Sequence, residues 1–212
     1  MLDLHSHNAA PYPEGILSFG VGELPGPEAF PGQAYSVGFH PWDFPQAGFP
    51  GEADYAALEQ VLGRPDVVAL GECGIDIPKG GLLAFQRIAF ARQTELAKKV
   101  GKPVIIHCVK AHDHIIAMRR DLKPSVNWAI HGFRGKPTIA KMLLDAGLWL
   151  SFGPQFNPDS VRLTPRDRIL AETDASGAPI TEICAALSVA YGEPLEETLA
   201  ANLKRFLEGD YF

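Results

Sequence analysis

The chain has 212 residues, 46% of them hydrophobic, 21% charged and 9% aromatic, with a formal charge of -6. These values describe one ordinary globular core and exclude a disordered or collagen-like chain. No apolar run is long enough to span a bilayer, and the acidity gives no overall pull toward nucleic acid, although a local basic patch remains compatible with it.

In chain order, Leu2 to His7 reads as a strand, and a Pro- and Gly-rich link too short for a helix leads to a second, Ile16 to Val21. Another helix-poor link precedes strand three, Ala34 to Phe39. Glu52 to Leu62 has helical spacing and is broken by Gly63 and Pro65. Val67 to Glu72 forms strand four. The longest helix, Leu82 to Val100, stops at Gly101 and Pro103, followed by strand five (Val104 to His107) and a helix from His112 to Arg120. Val126 to His131 gives strand six and Pro137 to Asp145 a helix. Leu148 to Phe152 is strand seven. A polar stretch through Pro165 leads to strand eight, Ile169 to Thr173, ending at Asp174. Helices over Pro179 to Tyr191 and Leu195 to Glu208 close the chain.

Repeated strand-then-helix with buried-looking strands favours a parallel sheet covered by helices. Eight strands point to one closed (β/α)8 barrel over residues 1–212, shortened by missing helices around strand two. Cys73, Cys108 and Cys184 are odd in number and widely spaced, which speaks against a disulfide framework and fits a reducing compartment, the cytoplasm. An acid at position 3, with no basic segment before an apolar stretch, speaks against a signal peptide.

The chemistry-bearing residues fall where strands end. His5 and His7 lie two apart in strand one and project together; Glu72 ends strand four, His107 strand five, His131 strand six and Asp174 strand eight. In a (β/α)8 barrel these ends share one rim, where active sites are built. Any one of these histidines alone reads as a buried core residue, and Asp174 alone as a helix N-cap. Together they read as a divalent metal centre. Nitrogen and oxygen donors suit Zn, Mn, Fe, Co or Ni, whereas Mg prefers oxygen and water. Asp3 and Glu172 share faces with His7 and Asp174, and each is a candidate acceptor for a ligand imidazole. His40, after strand three, and Lys110 and Arg134, each three residues past a candidate ligand, are candidate contacts for substrate phosphate.

The segments Asp3-Leu4-His5-Ser6-His7, Gly38-Phe39-His40-Pro41-Trp42, Gly71-Glu72-Cys73-Gly74-Ile75-Asp76, Gln86 through Gln93, Pro103 to His107, His131-Gly132-Phe133 and Glu172-Thr173-Asp174 stand in one order across most of the chain. In that order the chain resembles the TatD-like metal-dependent hydrolases of the amidohydrolase superfamily. The resemblance implies two divalent ions, with His5, His7 and Asp174 on one, His107 and His131 on the other, and Glu72 bridging. The family is usually longer. Gly132 and Arg134 stand where it more often has Cys and Ser, and the Pro that commonly follows the strand-eight Asp-Ala comes only at Pro179.

The resemblance implies hydrolysis of phosphodiesters on DNA or short oligonucleotides; acidity and few aromatic-basic clusters favour strand ends or small phosphoesters over long duplexes, and no membrane or obligate protein partner is expected. Two ions about 3.5–4 Å apart lower the pKa of a shared water and stabilise attacking and leaving oxygens. A bridging Glu72 holds that spacing, and Asp174 is placed to take the water's proton. The alternative is a metal-dependent amidohydrolase acting on a small amide or ester. A structural metal is disfavoured, because six candidate ligands exceed the four of a closed site.

Overall fold

Eight apolar segments become eight parallel strands in the computed structural model, which describes residues 1–44 and 48–209. They are β1 (Asp3–Ser6), β2 (Gly15–Gly20), β3 (Ala34–Gly38), β4 (Val67–Asp76), β5 (Val104–Val109), β6 (Trp128–Ile130), β7 (Trp149–Phe152) and β8 (Ile169–Ala171). Each pairs with the next, and β8 pairs with β1, so the sheet closes into the expected barrel. The helices are α1 (Glu52–Leu62), α2 (Leu83–Val100), α3 (His112–Leu122), α4 (Pro137–Asp145), α5 (Pro158–Leu163), α6 (Ile180–Tyr191) and α7 (Glu196–Glu208). Among the described residues no helix joins β1 to β2 or β2 to β3. Tyr12, Phe19, Val21 and Leu24 pack partly buried against the core on that side.

Two layers of side chains fill the barrel. The lower is apolar: Leu4, Ile16, Ala69, Ile105, Ala129, Trp149 and Leu170 cluster with Leu203 and Phe206 of α7. That helix closes the N-terminal end of the barrel. Asn127 Nδ2 donates to Phe206 O at 3.1 Å and Asn202 Nδ2 to Ile169 O at 2.8 Å. Because side chains alternate along a strand, the residues two further on share the interior: His107 above Ile105, His131 above Ala129, Glu172 above Leu170. A polar layer therefore sits at the C-terminal mouth.

Strands β1 and β4 break this alternation. The sequence reading ends strand four at Glu72, whereas β4 runs on to Asp76 and its register slips against both neighbours, between Tyr35 and Ser36 of β3 and between its own Leu70 and Cys73 facing β5. Gly71 and Gly74 have φ of 142° and 153°, and a Cβ at these positions would lie 2.6 Å from Ile105 O and 2.0 Å from His107 O. Only glycine lets β4 run this close to β5, and the irregularity turns Glu72, between them, into the mouth. The register of β1 against β2 also shifts between Asp3 and Ser6, so His5 enters the polar layer directly after Leu4 in the apolar one.

One helix was not expected. α5 lies in the polar stretch before β8, where the Asn157 side chain accepts from Asp159 N at 3.0 Å and Pro158 occupies the first turn. No helix among the described residues is long and apolar enough to cross a membrane.

Candidate metal centre

Glu72 sits at the centre of the mouth, 8% exposed, with imidazole nitrogens around both oxygens. Around Oε1 are His107 Nδ1 at 2.5 Å, His131 Nε2 at 2.7 Å and His40 Nε2 at 3.1 Å. Around Oε2 are His5 Nε2 at 3.1 Å and His7 Nε2 at 3.6 Å. Asp174 Oδ1 completes the far side, 3.8 Å from His5 Nε2 and 3.9 Å from His7 Nε2. All six expected ligands thus converge. Together with His40, which was expected to contact substrate phosphate, their donor atoms form three groups within 4.8 Å: His5, Glu72 and His131; His5, His7 and Asp174; and His40, Glu72 and His107.

Asp174 is held in the left-handed region at φ 52°. His7 N donates to its carbonyl at 3.1 Å, and its own N donates to His5 O at 2.9 Å. The first helix after β8 begins at Ile180 with Pro179 as cap, so Asp174 caps no helix and its carboxylate is left for the mouth. A non-glycine residue held there by its neighbours is the kind of local strain that collects at functional sites.

The electrostatics of the centre call for positive charge. Burial alone would raise the Glu72 carboxyl, yet His131 and His5 hold it well below its ordinary value. Burial would lower His131, and Glu72 and Glu172 instead hold it well above. His7 is raised by its bond to Glu72. Divalent ions would take the place of the protons drawn to these rings. The His5 nitrogens are buried and make no hydrogen bond, although Nε2 is near Glu72, which suits a ring that ligates an ion. The donor set fits a divalent metal centre.

Outer carboxylates fix the ring orientations. His131 Nδ1 donates to Glu172 Oε1 at 3.1 Å, leaving Nε2 toward Glu72, as the sequence reading allowed for Glu172. Asp3 does not play that part. It accepts from Thr173 N at 3.0 Å, from Thr173 Oγ1 at 2.6 Å and from Tyr12 OH at 3.0 Å, and so ties β1 to β8 beneath the centre. The matching role for His107 falls to Asp76, which the sequence reading missed: His107 Nε2 donates to Asp76 Oδ2 at 3.0 Å, and Trp42 Nε1 donates to the same oxygen at 2.7 Å. Burial works to raise Asp76, but the bonds from Trp42 and His107 bring it below its ordinary value. Gln86 of α2, fully buried, accepts from Asp76 N at 2.8 Å and donates to Asp76 O and Gly81 O, which holds this loop still.

Two cavities open onto the centre. One of about 580 Å³ is lined by His7, Phe39, His40 and Glu72, with Glu23 and Asp43 on its outer side. The other, about 440 Å³, is lined by Trp42, His107, His131 and Asp174 together with Lys110 and Arg134. The two cations expected near substrate therefore line the same cavity, and Arg134 Nη1 also donates to Gln155 Oε1 at 2.8 Å. His112 and His114, the remaining histidines, begin α3. The His112 ring packs edge-on against Phe133, with centroids 6.0 Å apart.

Comparison with known proteins bears on this centre. A family profile described as TatD related DNase matches residues 27–202. A curated relative from Edwardsiella piscicida, named 3'-5' ssDNA/RNA exonuclease TatD, is 35% identical over 159 residues, 70% of this chain and 60% of the relative. A Mycobacterium tuberculosis protein named uncharacterized metal-dependent hydrolase TatD is 34% identical over 137 residues, 58% of this chain and 52% of the relative. The chain thus spans between half and three fifths of these relatives' length. Among solved structures, that of YJJV, a TatD homolog from Escherichia coli K12, superposes with a TM-score of 0.78 at 20% identity, covering 100% of this chain and 98% of the other, a likeness of fold. With the profile covering most of its residues, the chain belongs to the TatD related DNase family.

Proposed function

We propose that this chain, as one hydrolase barrel over residues 1–212, is a divalent-metal-dependent phosphodiesterase that acts on the ends of DNA or on short oligonucleotides. The carrying observation is the placement of Glu72, with both oxygens faced by imidazoles from different strands. In this reading His5, His7 and Asp174 would hold one ion and His107 and His131 the other, with the Glu72 carboxylate available to both. The ions, when bound, lower the pKa of a shared water and offset charge on phosphate oxygens. Asp174 accepts the water's proton on its carboxylate. Lys110 and Arg134 bind phosphate from the wall of the second cavity, and His40 does so from beside Glu72. The two cations in that wall favour this reading over hydrolysis of a neutral amide or ester. The relatives named as exonucleases support the same substrate class. Three free cysteines suit a reducing compartment such as the cytoplasm.

A panel of single-stranded oligonucleotide, phosphomonoester and amide substrates, each assayed with Zn, Mn, Mg, Co and Ni, tests the proposal. The expected result is metal-dependent turnover of the phosphodiester above the others. Turnover of an amide alone would replace the proposal with the amidohydrolase alternative.

A further inference from the structure

Of the three tryptophans, Trp128 and Trp149 are 0% and 1% exposed, but Trp42 is 42% exposed. Its indole is nevertheless rigidly placed. Its N–H is bonded to the buried Asp76 carboxylate, and its ring packs edge-on against His40 and His107, with centroids 4.9 and 5.5 Å away. Ile77, directly after β4, and Val109, at the end of β5, are 42% and 36% exposed, and Ile77 N donates to Val109 O at 3.2 Å. Trp42 and Val109 also line the cavity that reaches His107, His131 and Asp174. Exposed apolar side chains thus adjoin the metal cleft, with the Trp42 indole anchored by its bond to Asp76.

The charges around this surface name its occupant. Lys79 Nζ lies 4.2 Å from the Trp42 ring centre, and Lys110 and Arg134 line the adjoining cavity. Aromatic and aliphatic surface interleaved with cations, beside a centre that receives phosphate, is how proteins hold single-stranded nucleic acid: the rings take bases and the cations follow the backbone. A duplex hides the base faces that such a surface would take. With the lysine over its ring, Trp42 as a residue is still 42% exposed.

We propose that Trp42, with Ile77, Val109 and Lys79, is a stacking platform for one unpaired nucleobase next to the phosphodiester being cut. The proposal rests on the phosphodiesterase reading and adds a requirement for a base on that side of the bond. It makes Trp42 a residue with two functions, its edge orienting Asp76 and its face meeting substrate.

The test compares a short single-stranded thymidine oligomer with an abasic oligomer of equal length and phosphate number. In chelator-treated wild-type protein, the thymidine oligomer is expected to quench the emission of Trp42 and to bind roughly 5- to 100-fold more tightly than the abasic one. The metal-loaded protein is expected to show the same preference in kcat/KM. Trp42→Leu should lose both quenching and preference, whereas Trp42→Phe, which keeps a ring but has no N–H for Asp76, should retain a preference for the base. Equal binding of the two oligomers, absence of quenching at saturation, or a Trp42→Phe variant as indifferent as Trp42→Leu would overturn the platform. If the loaded protein cuts both oligomers equally well, the platform falls and the phosphodiesterase reading stands. If it cuts neither, that reading has failed and the platform with it.

Discussion

Asp174→Asn separates the two roles assigned to this carboxylate. The substitution keeps side-chain volume and leaves the backbone content, because Asn tolerates the left-handed conformation that Asp174 adopts at φ 52°. The two backbone bonds to His5 and His7 are also untouched. The thermal midpoint should therefore stay within about 2 °C of wild type. Asp174→Ala serves as contrast: alanine in this conformation costs about 1–2 kcal/mol, which lowers the midpoint by several degrees. The chemistry should respond the other way. Loss of a general base costs about 10²- to 10⁴-fold in kcat, equivalent to about 3–5 kcal/mol of transition-state stabilisation. The assay is oligonucleotide hydrolysis under increasing metal, with bound metal measured in parallel. Full recovery of kcat at high metal would refute the base role and leave Asp174 as a ligand alone. Full activity without added metal would refute its place in the centre.

Asp76→Ala removes the acceptor of His107 Nε2, so affinity for the ion assigned to His107 and His131 should fall about 10- to 100-fold, as read by metal titration of the purified variant. Lys110→Ala and Arg134→Ala should each raise KM for a phosphodiester while leaving metal content alone; an unchanged KM in both would make them surface charges. Asp3 gives a pH prediction. Burial, opposed by the bonds from Thr173 and Tyr12, raises its carboxyl to about 6, above the 3.8 of the unfolded chain. Between these values the folded state holds more protons, so this group costs stability as pH rises from 4 to 7. Relative to wild type, metal-free Asp3→Asn should therefore gain about 2 kcal/mol over that range, measured by urea unfolding. A pH-independent difference would contradict the assignment.

The barrel was legible because its strands are continuous apolar runs with sharp breakers after the helices between them. α1 and α4 fall where spacing, Gly63 and Pro137 put them. His107, His131 and Asp174 were legible as rim residues because strands β5, β6 and β8 keep a period of two. Glu72 was identified for its chemistry but misplaced in its strand. The bulge that aims it depends on how closely Gly71 and Gly74 approach β5, a contact between distant segments. Asp76 was unreadable as a ring-orienting group for the same reason: its partners Trp42 and His107 lie 34 and 31 residues away in sequence. Asp3 looked like a second partner for a strand-one imidazole because alternation was assumed through β1, where the register in fact shifts. α5 left only the signal of Asn157-Pro158-Asp159, a cap and a first turn, since six residues are too few to display a helical period.

Activity against bound metal is the most direct measurement of the central claim. Chelator-treated protein is titrated with Mn or Zn while bound ions per chain and hydrolysis of a short single-stranded oligonucleotide are followed together. The account predicts no hydrolysis in the metal-free protein, a rate that climbs as the centre fills and levels off at two ions per chain, and no such rise in Glu72→Gln. Full activity in protein that holds only trace metal, or a rate indifferent to metal occupancy, would contradict it.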